Sequence, residues 1–448
     1  MKTKTKTNSR KLPISRHLPL LLTLLMAVAM AALCMGPLRA LLSWHEQQHL
    51  FRWTPAFVRE LWAEPGGGRE LAVSFVTQFF YVGWLGALVV ALLAVALQVL
   101  VWRVMRLCRL RSLWFYPLSL IPSCLLFAYV LIPKSFREDA SFREAVSYDY
   151  LVRTHQWDAI LKKSRQREPL TTNAIWCTNY ALAMHGQLCD SLFHYPQSGP
   201  DGLLYDARRV ELLSLYSMSD IFFQIGMVND AERMAFDAKQ LLLHRNASGR
   251  LYRRLAECNI VNGDSAVAAK YLHMLSSTLF YKKWAERNRA LIISPEKADT
   301  DPFYAERRRM RVRGDSLITP SLPHKLQALL SDCPDNRLAS DYLLAYQLLR
   351  MDFQGVLDAE LKAQRQKPRL APWAVQECII GNWVLTHPND SFPVSLRQDV
   401  FQRTMQMMQL TQQTGDMLSA PLLADPYVHT YWHYFAVSQR KLKTRSPQ

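Results

Sequence analysis

Glycine is scarce in this chain, 16 of 448 residues, and none of it forms a phosphate-cradling loop, so nucleotide sites of that kind are excluded. Acidic residues are also in short supply, 37 against 54 Lys and Arg, and no paired-carboxylate constellation stands out. The eight cysteines contain no CxxC pair and no Cys/His zinc spacing. Cys34, Cys108 and Cys124 fall in or beside apolar runs, whereas Cys177, Cys189, Cys258, Cys333 and Cys378 are scattered and odd in number. Neither a zinc site nor a disulfide framework follows; buried single thiols do. The net charge of +17 is not concentrated on one module, as a general nucleic-acid binder would have it. It is divided between membrane flanks and a mildly basic C-terminal part.

Half of the residues are apolar, and they are unevenly placed. Residues 1–16 form a leader with six Lys or Arg and no acid. Residues 18–42 are then uncharged apart from Arg39 and long enough to span a bilayer. No small-x-small cleavage site follows, and Leu33 before Cys34 is wrong for a lipobox, so this run reads as an uncleaved anchor. Residues 71–102 hold no charge at all and form the clearest span. Residues 113–132 form a third, which Pro117, Pro122 and Pro133 mark as kinked or interrupted. The spans and their flanks occupy residues 17–135. Arg103, Arg106, Arg109 and Arg111 crowd the connection between the second and third runs, while the connection between the first two is charge-balanced. The positive-inside rule places the leader and the arginine loop in the cytoplasm. Three spans then put everything after Pro133 on the outer side.

The stretch from Arg209 to Leu291 writes one helical pattern twice. Gly226 and Gly263, 37 residues apart, each follow an apolar helix, and Ala231 and Ala268 stand five residues after them. Asn229, with Glu232 three residues on, and Asp264 read as helix N-caps. Ala231, Met234, Ala235, Ala238 and Leu242 share one helical face; Ala268, Tyr271, Leu272 and Leu275 repeat it. Glycine suits the left-handed residue that ends a helix, and the alanines allow close packing. A glycine-then-alanine hairpin near this length is the tetratricopeptide layout. Gly186 and the turn at His155 mark two earlier, degenerate phases. The chain is therefore expected to be all-α, with repeats over residues 136–293 and further helical repeats over 337–438. A Pro/Arg-rich connection is expected at 294–336, breaking the helical pattern from Ser294 to Pro323, and a basic tail at 439–448, disordered from Lys441.

Candidate chemistry is sparse. His45, Glu46 and His49 fit HExxH, which on a helix sets two imidazoles one turn apart for zinc with the glutamate as general base. No third ligand follows downstream, so the expected role is a polar helix end at the membrane surface, with membrane-bound zinc hydrolysis as the alternative. Gly314, Asp315, Ser316 and Leu317 spell the signature of a serine hydrolase family, with Asp425 and His429 as imaginable partners. That chemistry needs an aspartate three residues before the histidine and a strand–loop–helix setting; here the spacing is four and the chain is helical. Arg307, Arg308, Arg309, Arg311 and Arg313 form a basic cluster suited to anionic headgroups or an acidic partner. Tyr431, Trp432 and Tyr434, in a run with His429, His433 and Phe435, either close a core or form an aromatic platform.

Three stretches carry a family resemblance: PGG at 65–67 with QFFYVGWLGAL at 78–88, YDYLVRTHQWDAI at 148–160, and LAECNIVNGDSAVAAKYLHMLSSTLFYKKWA at 255–285. They resemble an uncharacterised bacterial family of membrane proteins that pairs an apolar N-terminal part with a tetratricopeptide-like C-terminal part, over most of the chain from His45 onward. The resemblance implies that architecture and no activity. Together the readings predict an inner-membrane protein with its repeat domain in the periplasm. It acts as a non-enzymatic scaffold for a protein or peptide partner, in contact with membrane lipids, with no cofactor, no evident small-molecule substrate and no nucleic acid.

Overall fold

The structure, a computed structural model, describes residues 14–110, 112–204, 211–242, 247–313, 321–366, 368–387 and 389–445. Among these residues every regular element is a helix. By internal packing the chain forms two compact units, Met1–Arg143 with Ser277–Phe280, and Glu144–Ser276 with Tyr281–Gln448.

The first unit contains α1 (Ile14–Met35), α2 (Arg39–Gln48), α3 (Pro55–Trp62), α4 (Gly67–Thr77), α5 (Gly83–Leu107), α6 (Leu120–Leu131) and α7 (Lys134–Glu138). Three segments are long and apolar enough to cross a membrane: His17–Met35, Gly83–Leu107 and Leu113–Leu131. The third lies where the sequence places it, its first turns being 3-10 at Leu113–Phe115 and Pro117–Ser119. The first two are shorter at one end than expected. The first apolar run, expected at 18–42, bends at Gly36, Pro37 and Leu38, and α2 is a separate helix. The second, expected at 71–102, is broken: α4 ends at Thr77, a 3-10 turn covers Gln78–Tyr81, and Val82 is extended before α5. At the break, Arg39 donates to the carbonyls of Phe80 at 2.9 Å and Tyr81 at 3.4 Å.

The face that α5 buries is Gly86, Ala87, Val90, Ala91, Ala94 and Gln98. Small residues at that spacing let a neighbouring helix approach closely, and α1 packs there. Gln98 lies fully buried and donates to Ser119 Oγ at 3.0 Å, while the Thr23 and Tyr116 hydroxyls meet at 2.6 Å. These bonds tie α1, α5 and the third segment together.

The second unit starts with α8 (Ala140–Arg153), α9 (Trp157–Gln166), α10 (Thr172–Met184), α11 (Leu188–Ser191), α12 (Leu212–Ile225) and α13 (Val228–Gln240). It continues with α14 (Gly249–Asn262), α15 (Ser265–Ser276), α16 (Lys282–Ile293), α17 (Pro295–Thr300), α18 (Pro302–Met310) and α19 (Leu322–Asp332). It closes with α20 (Arg337–Arg350), α21 (Phe353–Gln366), α22 (Trp373–Thr386), α23 (Gln398–Thr414) and α24 (Tyr431–Arg445).

One turn recurs through this unit. His155, Gly186, Gly226, Gly263 and Met351 all adopt positive φ, between +55° and +105°. In each case the next residue's amide reaches back five positions: Gln156 to Leu151, Gln187 to Leu182, Met227 to Phe222, Asp264 to Asn259 and Asp352 to Gln347, at 2.9–3.0 Å. This is the Schellman closure, which satisfies carbonyls that the helix end would otherwise orphan. It joins α8 to α9, α10 to α11, α12 to α13, α14 to α15 and α20 to α21. The side chain five positions after the turn is fully buried in four of the five cases: Ile160, Ala231, Ala268 and Val356. The four phases expected from sequence are four of these turns; Met351 is the fifth.

Three expectations are corrected. Asn229 does not cap α13, which starts at Val228 behind the buried Met227; Asn229 instead accepts from Asn262 Nδ2, and Glu232 from Asn259 Nδ2. Among the described residues the connection at 294–336 is largely helical, because Pro295, Pro302 and Pro323 stand in first turns, where a missing N–H costs nothing. The tail expected to be disordered from Lys441 is helical to Arg445, as the end of α24, which packs on α22.

Candidate functional site

The arginine cluster sits on and just after α18. Asp301 caps that helix, accepting from the amides of Phe303 and Tyr304, and the arginines fall in its last turn, favourable for cations near a helix C-terminus. Three of the five are committed to the protein itself. Arg307, 7% exposed, pairs with Glu306 and donates to Gln224 on α12 at 2.6 Å, with its guanidinium 4.7 Å over the Phe303 ring. Arg308 donates to the Ile260 carbonyl on α14 and pairs with Asp299, both at 2.7 Å. Arg311 donates to Asn262. With Tyr304 donating to Asn288 on α16, α18 is stitched across α12, α14 and α16. The five arginines are therefore not one open surface.

Arg309 and Arg313 are exposed and make no ion pair among the described residues. Both line a cleft of about 530 Å³ together with His185, Asp332, Arg337 and Asp341. Arg337 closes its far side, donating to the Gly186 carbonyl at 3.0 Å and pairing with Asp341 at 3.5 Å. Glu306, Asp332, Asp335 and Asp341 balance the arginines of its lining. The Cys333 thiol also lines it and donates to the Arg309 carbonyl.

Two buried carboxylate networks flank this region with opposite electrostatics. Burial alone would raise the Asp220 carboxyl, but Arg250 and Arg254 hold it at about 2. Arg250 also meets Asp149 at 2.7 Å, and Arg254 meets Glu257 at 2.9 Å. At Asp341 burial wins: the carboxyl rises to about 6 despite Arg369 at 3.7 Å and Arg337. Glu360 shares Arg369, at 3.3 Å, and burial raises it too. Sequence reading missed these groups. The available signal was a carboxylate within an otherwise apolar helical face, as Asp341 stands beside Tyr342, Leu343 and Leu344.

A smaller cavity of about 190 Å³ is lined by Asp190, His194, Trp373, Glu377, Arg403, Asp425 and His429, among others. His429 stacks on His194 with ring centroids 5.5 Å apart, and Asp425 lies 3.9 Å from its Nε2. Burial, then the neighbouring His429, lowers the His194 imidazole. Gly314, Asp315, Ser316 and Leu317 lie outside the described residues.

The HExxH stretch does not form its helical pair. α2 ends at Gln48, and His49 is extended at φ −137°, so the two imidazoles are not one turn apart on a helix. The His45 Nε2 atom is bonded to the Leu131 carbonyl at 2.8 Å, and burial lowers that imidazole to about 4. His49 faces Glu70 at 3.8 Å, and Glu46 is buried. Among the described residues no group of three or more His, Cys, Asp or Glu is arranged to hold a metal.

The aromatic run is a core closure, which corrects the platform reading. Tyr431 and Trp432 are buried, the Trp432 indole occupying the space beside Gly381, where a Cβ would stand 2.0 Å from the ring. Glu377 accepts from the Tyr431 amide at 2.8 Å, and Tyr434 donates to the Leu349 carbonyl at 2.8 Å. Each hydroxyl or indole with a buried polar end has a partner, as core aromatics require.

Residues 14–135 and 129–438 match a family defined by sequence, DUF6057, a family of unknown function. The chain belongs to that family. No curated protein and no solved structure matches it. Family membership accordingly brings no activity, and the functional reading rests on geometry.

Proposed function

We propose that this DUF6057 protein is a membrane-anchored, tetratricopeptide-like interaction module that scaffolds an assembly in the bacterial cell envelope. The observation that carries the reading is the Schellman turn repeated five times, with a fully buried residue five positions on in four cases. Hairpins built to one plan cannot bury their apolar faces alone, so they stack into a solenoid whose surface takes protein segments. Because α18 covers part of α12, α14 and α16, the partner surface is the cleft carrying Arg309 and Arg313. The cleft as a whole is charge-balanced, and the exposed Arg309 and Arg313 are the groups that suit acidic side chains of a partner.

The three apolar segments supply the anchor. Their flanking charges support an N-terminus in the cytoplasm and a repeat domain in the periplasm, as an inner-membrane protein. The test is made in intact cells on the full chain, with Cys108, Cys124 and Cys333 replaced by serine and single cysteines at Ser112 and Ala266, both exposed. An impermeant maleimide is expected to label Ala266→Cys from outside and leave Ser112→Cys unlabelled. The reverse pattern overturns the orientation. A photo-crosslinking residue at Arg313 is expected to give a discrete adduct that Arg309→Glu abolishes. A chain that gives no adduct in its native membrane contradicts the scaffold.

A further inference from the structure

The connection between the first two membrane segments carries a surface that neither its fold nor its neighbours explain. Thr54 caps α3 by accepting from the Phe57 amide, and Pro55 starts the helix. At about 100° per residue its apolar positions divide into two sides. Phe57 and Leu61 turn inward, Phe57 meeting the buried Phe51 edge-on at 5.7 Å. Pro55, Val58 and Trp62 turn outward. Trp62 is 67% exposed and Trp53, just before the helix, 55% exposed. With Phe51 and Ala63 they line an open apolar depression. Ala56 and Glu60 occupy the remaining, polar side, and Arg59 stands on the border.

We infer that α3 lies in the plane of the bilayer, with Trp53, Val58 and Trp62 seated among the lipid headgroups and upper acyl chains. This rests on the membrane anchor proposed above. Three observations select lipid over a protein partner. First, the chain enters this connection from Met35 and leaves it at Gly83, both ends of membrane-crossing segments, so the connection is held at one bilayer face. Second, two tryptophans beside one short helix are the composition of that layer, where an indole keeps its ring in apolar surroundings and its N–H in polar ones. Third, Arg59 is the charged residue lining the apolar depression, and within this charge-balanced connection Arg69 is also exposed, at the start of α4. An anionic headgroup satisfies both while the arginine stems stay on the apolar side. The Trp53 Nε1 donates to Gln78 at 3.2 Å, which fixes the ring without covering it.

The test uses the full chain, with Cys108, Cys124 and Cys333 replaced by serine, in vesicles of phosphatidylcholine and phosphatidylglycerol. A bimane label is placed singly at Val58, Trp62, Ala56, Glu60 and, as a control on α5, Leu92. Nitroxide lipids quench from the bilayer and iodide from water. The inference expects Val58→Cys and Trp62→Cys to be quenched severalfold more by headgroup-level nitroxide than Ala56→Cys and Glu60→Cys, with the reverse order for iodide. If Val58 and Trp62 follow Glu60 in iodide while Leu92 is quenched from the lipid, the anchor stands and the inference fails. If Val58 and Trp62 are shielded from both quenchers, protein covers the face and the inference also fails. A Leu92 label that no lipid quencher reaches removes the anchor, and this inference with it.

Discussion

The apolar helices of the two units carry similar side chains and use them in opposite ways. In α5 Leu88, Leu92, Leu93 and Leu100 are exposed, and the buried face is mostly small residues, Gly86, Ala87, Ala91 and Ala94, with Val90 and Gln98. In α12 the side chains of Leu213, Leu215, Tyr216, Ile221, Phe222 and Phe223 are all buried, in a helix of 14 residues against 25. Large residues inside mark a core formed in water; small residues inside and large ones outside mark a helix solvated by lipid. Polar groups differ in the same sense. Where α1, α5 and the third segment of the first unit meet, the polar partners are neutral, Gln98, Ser119, Thr23 and Tyr116. The second unit buries full charges, Asp149, Asp230 and Glu257 among them, each with an opposite charge in contact.

The contrast can be broken most directly with one residue type in both units. Leu344→Ala, at a fully buried position on α20, is expected to cost about 3 kcal/mol, read as a loss of thermal stability. Leu92→Ala, at an exposed position on α5, is expected to cost under about 1 kcal/mol in the same preparation. Equal costs would mean that α5 is a core helix.

Acid sharpens the comparison within the second unit. The raised Asp341 carboxyl binds its proton more tightly folded than unfolded, so its stabilising contribution grows as pH falls from about 6 towards 3.8. The depressed Asp220 carboxyl acts in the opposite direction, and its contribution is lost as pH falls from 3.8 through about 2. The summed contribution of these two carboxyls is therefore expected to be greatest near pH 4, with up to about 3 kcal/mol riding on Asp341. Asp341→Asn should flatten the upper limb in a thermal melt series and leave the lower one. An unchanged upper limb would show that other groups dominate it.

Smaller effects follow from hydrogen bonding and the turns. Gln98→Leu removes the bond to Ser119 and is expected to cost about 1 kcal/mol, read by denaturation in detergent. His155→Gly relieves a left-handed backbone at an exposed position and should stabilise by roughly 0.5 kcal/mol.

Much of this architecture was legible in the residues, for reasons that are local. Gly186, Gly226 and Gly263 announce helix ends because few other residues tolerate left-handed backbone, and even His155 was found through the pattern around it. The third membrane segment was legible from length and charge. What hydropathy could not show is where an apolar run bends. At the break after Thr77, Arg39, about forty residues earlier in sequence, reaches the carbonyls of Phe80 and Tyr81, a contact that no local window contains. The prolines of 294–336 were read as breakers, although a proline in a first turn begins a helix. The arginine cluster was visible as charge, but its division between Arg307, Arg308 and Arg311, bonded inward, and Arg309 and Arg313, exposed, is a property of tertiary packing.

The central claim is that the first unit is solvated by lipid while the second is built as a core in water. It is tested most directly by washing membranes that contain the full chain with alkaline carbonate. The account expects the chain to stay with the sedimented membranes and to leave them only on addition of detergent. Release into the supernatant without detergent would contradict it, because three exposed apolar helices of this length have no other solvent.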